Sequence, residues 1–307
     1  MNRTSLTDAP PLAAMSVDVE DWFQVENLRG SFPRETWKSQ TLRVERNMDR
    51  MLELMAEHGV SCTCFVLGWI AERRPSLVAR IAAEGHEVAS HGYGHDLVTG
   101  LSPAEFRADV ERSKEILEDA AGVRVRGYRA PNFSITDWSI AILQDVGFTY
   151  DSSSFSTIIH DRYGKLTGMT ADAPVVELRP GFHEISVSCL NAGVRGLPWG
   201  GGAYFRLMPY PVFSWGVRRI LRSARPYVFY IHPWEIDPGQ PRVANLVASS
   251  RFRHYVGLRR AENRLESLVG DFRWSTVSEV LDAIVAGLPA AERGGIDLLA
   301  TPEPARG

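Results

Sequence analysis

Three cysteines in 307 residues are too few for a disulfide framework in a chain this long. Cys62 and Cys64 stand two apart in an apolar run, where alternation would place both on one face of a strand. That is not the C-x-x-C spacing of a zinc knuckle or a redox pair, and buried small hydrophobes are expected. Charge of one sign is scarce too. Lys and Arg number 34 against 37 Asp and Glu, a net of −3, so no electrostatic case exists for nucleic acid or an anionic membrane surface as partner. Basic pairs such as Arg218-Arg219 and Arg259-Arg260 read as solvated helix faces. No run approaches the roughly 20 apolar residues of a membrane span. The start, MNRTSLTDAPPLAAM, lacks the apolar stretch of about 7–15 residues that a secretion signal needs. A cytoplasmic protein is therefore expected. Pro10 and Pro11 disfavour helix, so residues 1–13 are expected as an extended leader, and the polar residues 290–307 as a disordered tail.

What is present is an ordinary globular composition, 44% apolar and 23% charged, with strands and helices in alternation. Residues 14–19 are strand-like and end in acids. Residues 41–58 carry apolar side chains near helical spacing (Leu42, Met48, Met51, Leu52, Met55) and stop at Gly59. Strand signals follow at 61–67 and 87–90, around a short helix at 76–83. Ser102-Pro103-Ala104-Glu105 opens a helix that Gly122 ends. Residues 125–131 and 148–151 are strand tips around a helix at 137–146. Strands alternating with helices imply a parallel α/β sheet, open or closed into a barrel. Between 152 and 227 the rhythm weakens into glycine- and aromatic-rich sequence, and residues 228–231 restore a strand. A helix over 262–268, a strand near Trp274 and a helix over 277–288 complete one domain, 14–289, with 152–227 as an elaborated region.

Chemistry collects at one kind of position. Asp18, Glu20 and Asp21, then His91 and His95, Arg129, Asp151 and His232 all fall at or just past the carboxyl ends of expected strands. In parallel α/β folds those ends share one face, where active sites are built. His91-Gly92-Tyr93-Gly94-His95 can turn two imidazoles inward, because glycine permits backbone angles that other residues resist. Two imidazoles and a carboxylate are a common ligand set for Zn²⁺ or a similar divalent ion. Asp18 and Glu20 share a strand face, which suggests that one acid ligates and the other takes a proton. Arg129 could orient such a base, and His232 could donate a proton to a leaving amine.

These residues, in this order, resemble the NodB-homology polysaccharide deacetylases, carbohydrate esterase family four. His91-Gly92-Tyr93-Gly94-His95 resembles the family's histidine motif, and Arg129-Ala130-Pro131-Asn132-Phe133 its arginine motif. Asp151-Ser152-Ser153-Ser154 resembles a further motif that begins with Asp, and Tyr230-Ile231-His232 the last one. The first motif departs: Ser16-Val17-Asp18-Val19-Glu20-Asp21-Trp22 matches the base, Asp18, but has Val19 in the usual ligand position. Members that space the two acids by one residue point to Glu20 as third ligand, and Asp21 stays open. The stretches 16–23, 65–69 and 232–238 look like the branch encoded with bacterial exopolysaccharide and exosortase loci.

The resemblance implies a distorted (β/α) barrel of about seven strands with an elaborated C-terminal part. It implies a divalent metal, Zn²⁺ by preference, and hydrolysis of N-acetyl groups on a polysaccharide or a lipid-linked precursor, releasing acetate. Asp18 would be the base and His232 the acid, with Arg129 and Asp151 tuning them by charge pairing. Pro131, Tyr93, Trp199, Tyr204 and Trp234 are candidate sugar contacts. Two other readings stay open: a metal-independent hydrolase of a small cyclic amide, as in allantoinase-like relatives, and a silent glycan-binding protein. The sequence also leaves a homo-oligomer open.

Overall fold

The computed structural model describes residues 12–155, 164, 166, 167, 169, 173–192, 195–244 and 246–287. Residues 1–11 of the expected leader and the whole expected tail lie outside the described residues.

The first half alternates as its sequence pattern requires. Strand β1 (Ala13–Val19) is buried along all seven residues, as suits a strand covered on both faces. Helix α1 (Val44–Glu57) leads to β2 (Thr63–Val66), then α2 (Gly68–Arg73), α3 (Pro75–Ala83) and β3 (Glu87–Ser90). Helix α4 (Pro103–Ala121) starts in a capping box, in which Ser102 and Glu105 satisfy each other's backbone amides. It ends at Gly122, whose φ of 67° suits a residue without Cβ. Strand β4 (Gly127–Tyr128), α5 (Asp137–Val146) and β5 (Tyr150–Asp151) complete this half.

The second half is less regular. A hairpin of β6 (Val175–Arg179) and β7 (Phe182–Ile185) is followed by a second one, β8 (Cys189–Ala192) with β9 (Arg195–Pro198). Helices α6 (Gly202–Leu207) and α7 (Tyr210–Arg222) then lead into β10 (Tyr227–Ile231). Helix α8 (Ala248–Tyr255), α9 (Leu258–Asp271), β11 (Trp274–Ser275) and α10 (Val277–Gly287) follow.

Seven of the described strands run parallel in the order β10-β1-β2-β3-β4-β5-β7, with β6 antiparallel on the outer edge and β11 beside the start of β1. The sheet curls almost into a barrel. Three residues after β7 ends, Ser188 donates its amide to Val228 in β10, at the opposite edge, and Tyr230 donates to Gly200 at 2.7 Å. The α/β, barrel-like fold with an elaborated C-terminal part is thus the observed one.

Cys62 and Cys64 are buried and free, and the pairs Arg218-Arg219 and Arg259-Arg260 are exposed. Helix α7 lies where the rhythm had weakened; its buried Phe213, Val217 and Ile220 do carry helical spacing. Strand β4 is shorter than the expected run over 125–131, because only Gly127 and Tyr128 find ladder partners. Among the described residues, no helix is long and apolar enough to cross a membrane.

Candidate metal centre and active site

The carboxyl ends of β1, β3, β4 and β10 deliver Asp18 and Glu20, His91, Arg129 and His232 to one rim. A cavity of about 350 Å³ opens there, and Asp18, Glu20, His91, His95 and His232 line it.

Glu20, His91 and His95 can each aim one donor atom so that all lie within 4.8 Å of one another. Backbone geometry arranges this. Gly92 has a φ of 73°, and a Cβ on Gly94 would fall 2.3 Å from the Arg34 guanidinium. His95 itself holds a φ of 55°, a conformation that costs a residue with a Cβ and that clusters at functional sites. The Nδ1 of His91 donates to the Arg129 carbonyl at 2.8 Å, which leaves Nε2 as the lone-pair nitrogen. Trp234 Nε1 donates to Glu20 Oε1 at 3.1 Å. Glu20 Oε2 is buried with no donor aligned on it, although His95 Nε2 lies 2.8 Å away. An orphaned carboxylate oxygen beside two imidazoles suits a cation.

Charge states agree. Burial pushes His91 down to about 4, so it is a neutral, ligand-competent imidazole at neutral pH. Burial alone would raise Glu20, but the charges of His95 and His232 and the His95 contact bring it down to about 2.

Asp18 and His232 line the cavity beside this group. Asp18 Oδ1 accepts from Arg129 Nη1 at 2.7 Å, and Arg129 is fully buried. The same guanidinium donates to Ser16 Oγ, the Ser152 carbonyl and Ser152 Oγ, so four of the five N–H groups of this buried cation are bonded. His232 Nε2 lies 3.9 Å from Asp18 Oδ2 and 3.5 Å from Glu20 Oε1. On its other side, Nδ1 meets Glu235 Oε2 at 3.0 Å, and Glu235 Oε1 accepts from Arg206 Nε at 2.7 Å. Burial would lower His232, but Glu20 and Glu235 push it up to about 9, while Arg206 and His232 hold Glu235 at about 2.

Several residues expected at the site sit elsewhere. Asp21 is buried away from the cavity: Oδ2 accepts from the amides of Arg43 and Val44, and Oδ1 from that of Trp22. It accepts the amides at the start of α1, and Glu20 is the acid that clusters with His91 and His95. Asp151 does not pair with His232. Its Oδ1 accepts from Ser153, and the buried carboxyl of Glu184 is its neighbour. Glu235, rather than Asp151, is the carboxylate on His232 Nδ1. The signal for it was local, since His232 and Glu235 form a capping box three residues apart.

Among the candidate sugar contacts, Trp199 is core. It stacks on Phe213 and donates Nε1 to the Phe213 carbonyl. Trp234 lines the cavity, but its two faces stack on His232 and His254, which leaves none for a sugar. Tyr93 is buried beneath Arg112 with its hydroxyl on Glu72, and Pro131 is buried outside the cavity lining. Tyr204 does line the cavity, half-buried, with Phe133 and Tyr230. Arg206, fixed by the carbonyls of Arg253, His254 and Val256, was not foreseen; an isolated arginine on a short helix carries no sequence signal.

Residues 37–150 match the sequence model of the polysaccharide deacetylase family, and residues 152–282 match a domain of unknown function (DUF3473). A chitooligosaccharide deacetylase from Sinorhizobium fredii is 34% identical over 143 residues, 43% of this chain and 60% of that protein. A peptidoglycan-N-acetylglucosamine deacetylase from Bacillus cereus is 30% identical over 118 residues, 34% of this chain and 43% of that protein. The matched stretch thus spans about half the length of these curated relatives. A Mycobacterium smegmatis structure assigned as a polysaccharide deacetylase superposes with a TM-score of 0.58 at 22% identity, covering 91% of this chain and 94% of that one, and shows the same fold. With the motif residues on one rim of that fold, the first half of the chain is similar to the polysaccharide deacetylase family and its second half to the DUF3473 domain.

Proposed function

We propose that the protein is a metal-dependent N-deacetylase that removes acetyl groups from N-acetylhexosamine units of a glycan, releasing acetate. One observation carries this reading. Asp18 and His232 line the same cavity as the Glu20, His91 and His95 cluster, and each is held by its own partner, Arg129 and Glu235.

Glu20, His91 and His95 would hold a divalent ion, and a mixed nitrogen and oxygen donor set suits Zn²⁺. Bound there, the ion supplies Lewis acidity that polarises the amide carbonyl and eases deprotonation of water. Asp18, held by Arg129 at 2.7 Å, takes the proton from the attacking water. His232 carries its proton at neutral pH and gives it from Nε2 to the departing amine, while Glu235 holds Nδ1. Tyr204 and Phe133 offer aromatic surface to the sugar ring. The likeness of residues 16–23, 65–69 and 232–238 to the exopolysaccharide-locus branch supports a polymer of that kind, or its precursor, as the source of substrate. A metal-free amidohydrolase would not need the Glu20, His91 and His95 cluster, and a silent binder would need neither Asp18 nor His232.

The test is metal content of the purified protein together with acetate release from N-acetylglucosamine oligomers. Asp18→Asn should lower turnover by about 10²–10⁴-fold, the range of one general base, with bound metal retained. Full activity in that variant would overturn the mechanism.

A further inference from the structure

The catalytic cavity does not end at its own rim. Phe252 and Val256 form its outer wall, and both also line a second, open groove of about 640 Å³ with Arg242, Val243, Ala244, Arg251 and Tyr255. Two features of this wall call for a ligand that extends beyond the sugar ring. Leu207 and Phe252, in the cavity mouth, are 51% and 57% exposed, so large apolar side chains face water there. Beside it stand three guanidinium groups, Arg242, Arg251 and Arg253, none of which forms an ion pair with any described residue. Arg242 stacks over the Tyr255 ring at 4.2 Å, and Arg253 makes a long bond from Nε to the Ser249 carbonyl. Some exposed arginines on this chain are paired with carboxylates, as Arg80 is with Glu84 and Arg126 with Asp282, and others, such as Arg219 and Arg259, pair with none among the described residues.

A ligand that satisfies this surface carries phosphate for the arginines and a hydrocarbon for Phe252, Val243 and Val256. Guanidinium suits phosphate because its planar fork gives paired, charge-assisted hydrogen bonds. We propose that the groove is a subsite for the diphosphate and first isoprene units of a prenyl carrier, so that the N-acetylated sugar reaches Asp18 and His232 while still lipid-linked. This rests on the deacetylase reading of the cavity, and it names the substrate class of that same site. A uronate-rich glycan would satisfy the arginines but leave Leu207 and Phe252 facing solvent. An anionic bilayer would touch Arg251 and Phe252 without entering the cavity.

The full chain titrated with farnesyl diphosphate, inorganic pyrophosphate and farnesol separates these cases. The expected result is that farnesyl diphosphate binds at least tenfold more tightly than either fragment. Arg242→Ala, Arg251→Ala and Phe252→Ala should each weaken it about tenfold, the loss of one charged or apolar anchor. Arg259→Ala, on an exposed face of α9, should not. Equal binding of pyrophosphate, or binding that survives all three groove variants, overturns the proposal. So does binding to phosphatidylglycerol vesicles with none to farnesyl diphosphate in solution. Acetate release from unlinked N-acetylglucosamine oligomers is measured alongside. Acetate release without farnesyl diphosphate binding sinks the subsite alone, whereas binding with neither acetate release nor bound metal sinks the deacetylase reading and keeps the subsite.

Discussion

The imidazole of His232 and the carboxylate of Glu235, three residues further on, meet at 3.0 Å through Nδ1 and Oε2, and the same oxygen accepts the His232 backbone amide. One carboxylate thus fixes both the ring and the main chain of the proposed acid. Arg206 then holds the other oxygen at 2.7 Å and is itself anchored on the carbonyls at the end of α8. His232, Glu235 and Arg206 all belong to the DUF3473 segment, whereas Asp18, Glu20, His91 and His95 precede it. The proposed proton donor is therefore oriented by the second half of the chain, and the proposed metal ligands by the first.

Glu235→Gln tests this arrangement while keeping an acceptor for Arg206. With Nδ1 no longer facing an anion, the imidazolium loses one of the charges that push it up to about 9. The acid then deprotonates at lower pH, so the alkaline limb of the rate profile should move down. Turnover at pH 8 should fall by about 10²-fold, the lower range for a general acid, with metal content unchanged. A profile superimposable on the parent's would rule out Glu235 as a positioning residue.

The third ligand is settled by comparing neighbours. Glu20→Ala should abolish stoichiometric metal uptake, measured by elemental mass spectrometry after dialysis, and leave thermal stability nearly unchanged. Asp21→Ala should retain the metal. It should lose about 1–3 kcal/mol of stability, because the buried amides of Trp22, Arg43 and Val44 lose their acceptor. The reverse pattern would return Asp21 to the metal centre.

How far the sequence speaks for the structure depends on the range of the signal. Helix α4 and helix α5 are bounded as their caps dictate, since Ser102, Glu105 and Gly122 act within a turn of the backbone they terminate. The gathering of Asp18, His91, Arg129 and His232 was legible too, because strand alternation and parallel topology put every strand end on one rim. The roles of Asp21 and Asp151 were not. An acid that ligates metal and one that caps a distant helix are the same letter, and only the path of residues 22–43 turns Asp21 toward α1. Trp234 is similar: its sandwich between His232 and His254 needs α8, twenty residues away. Within 152–227 helix α7 escaped notice because Pro209, Pro211 and Gly216 mask its spacing, although Gly216 is where Trp199 packs closest.

Asp151 and Glu184 offer a last test, of a different kind. Both are fully buried, and Asp151 Oδ2 and Glu184 Oε2 each lack a donor. A proton held between the two carboxyls satisfies both, and burial together with the Asp151 charge raises Glu184 well above the ordinary glutamate range. A carboxyl raised in the folded state stabilises fully at acid pH, below its unfolded value. It loses that contribution as pH rises towards the folded value, because the unfolded chain ionises first. Glu184→Gln keeps an oxygen for the Ser154 amide and offers a permanent N–H to Asp151, so it carries no such penalty. The variant should match the parent in thermal stability near pH 4 and exceed it at pH 8. The difference should reach at least about 1.4 kcal/mol, the linkage energy of one pH unit, or roughly 2–4 °C in melting temperature. Glu184→Ala should instead be destabilised at both values, since it strands the Ser154 amide and an unpaired Asp151. If the Gln variant melts with the parent at both pH values, Glu184 is ionised in the folded protein. Some group other than a shared proton would then have to satisfy the pair.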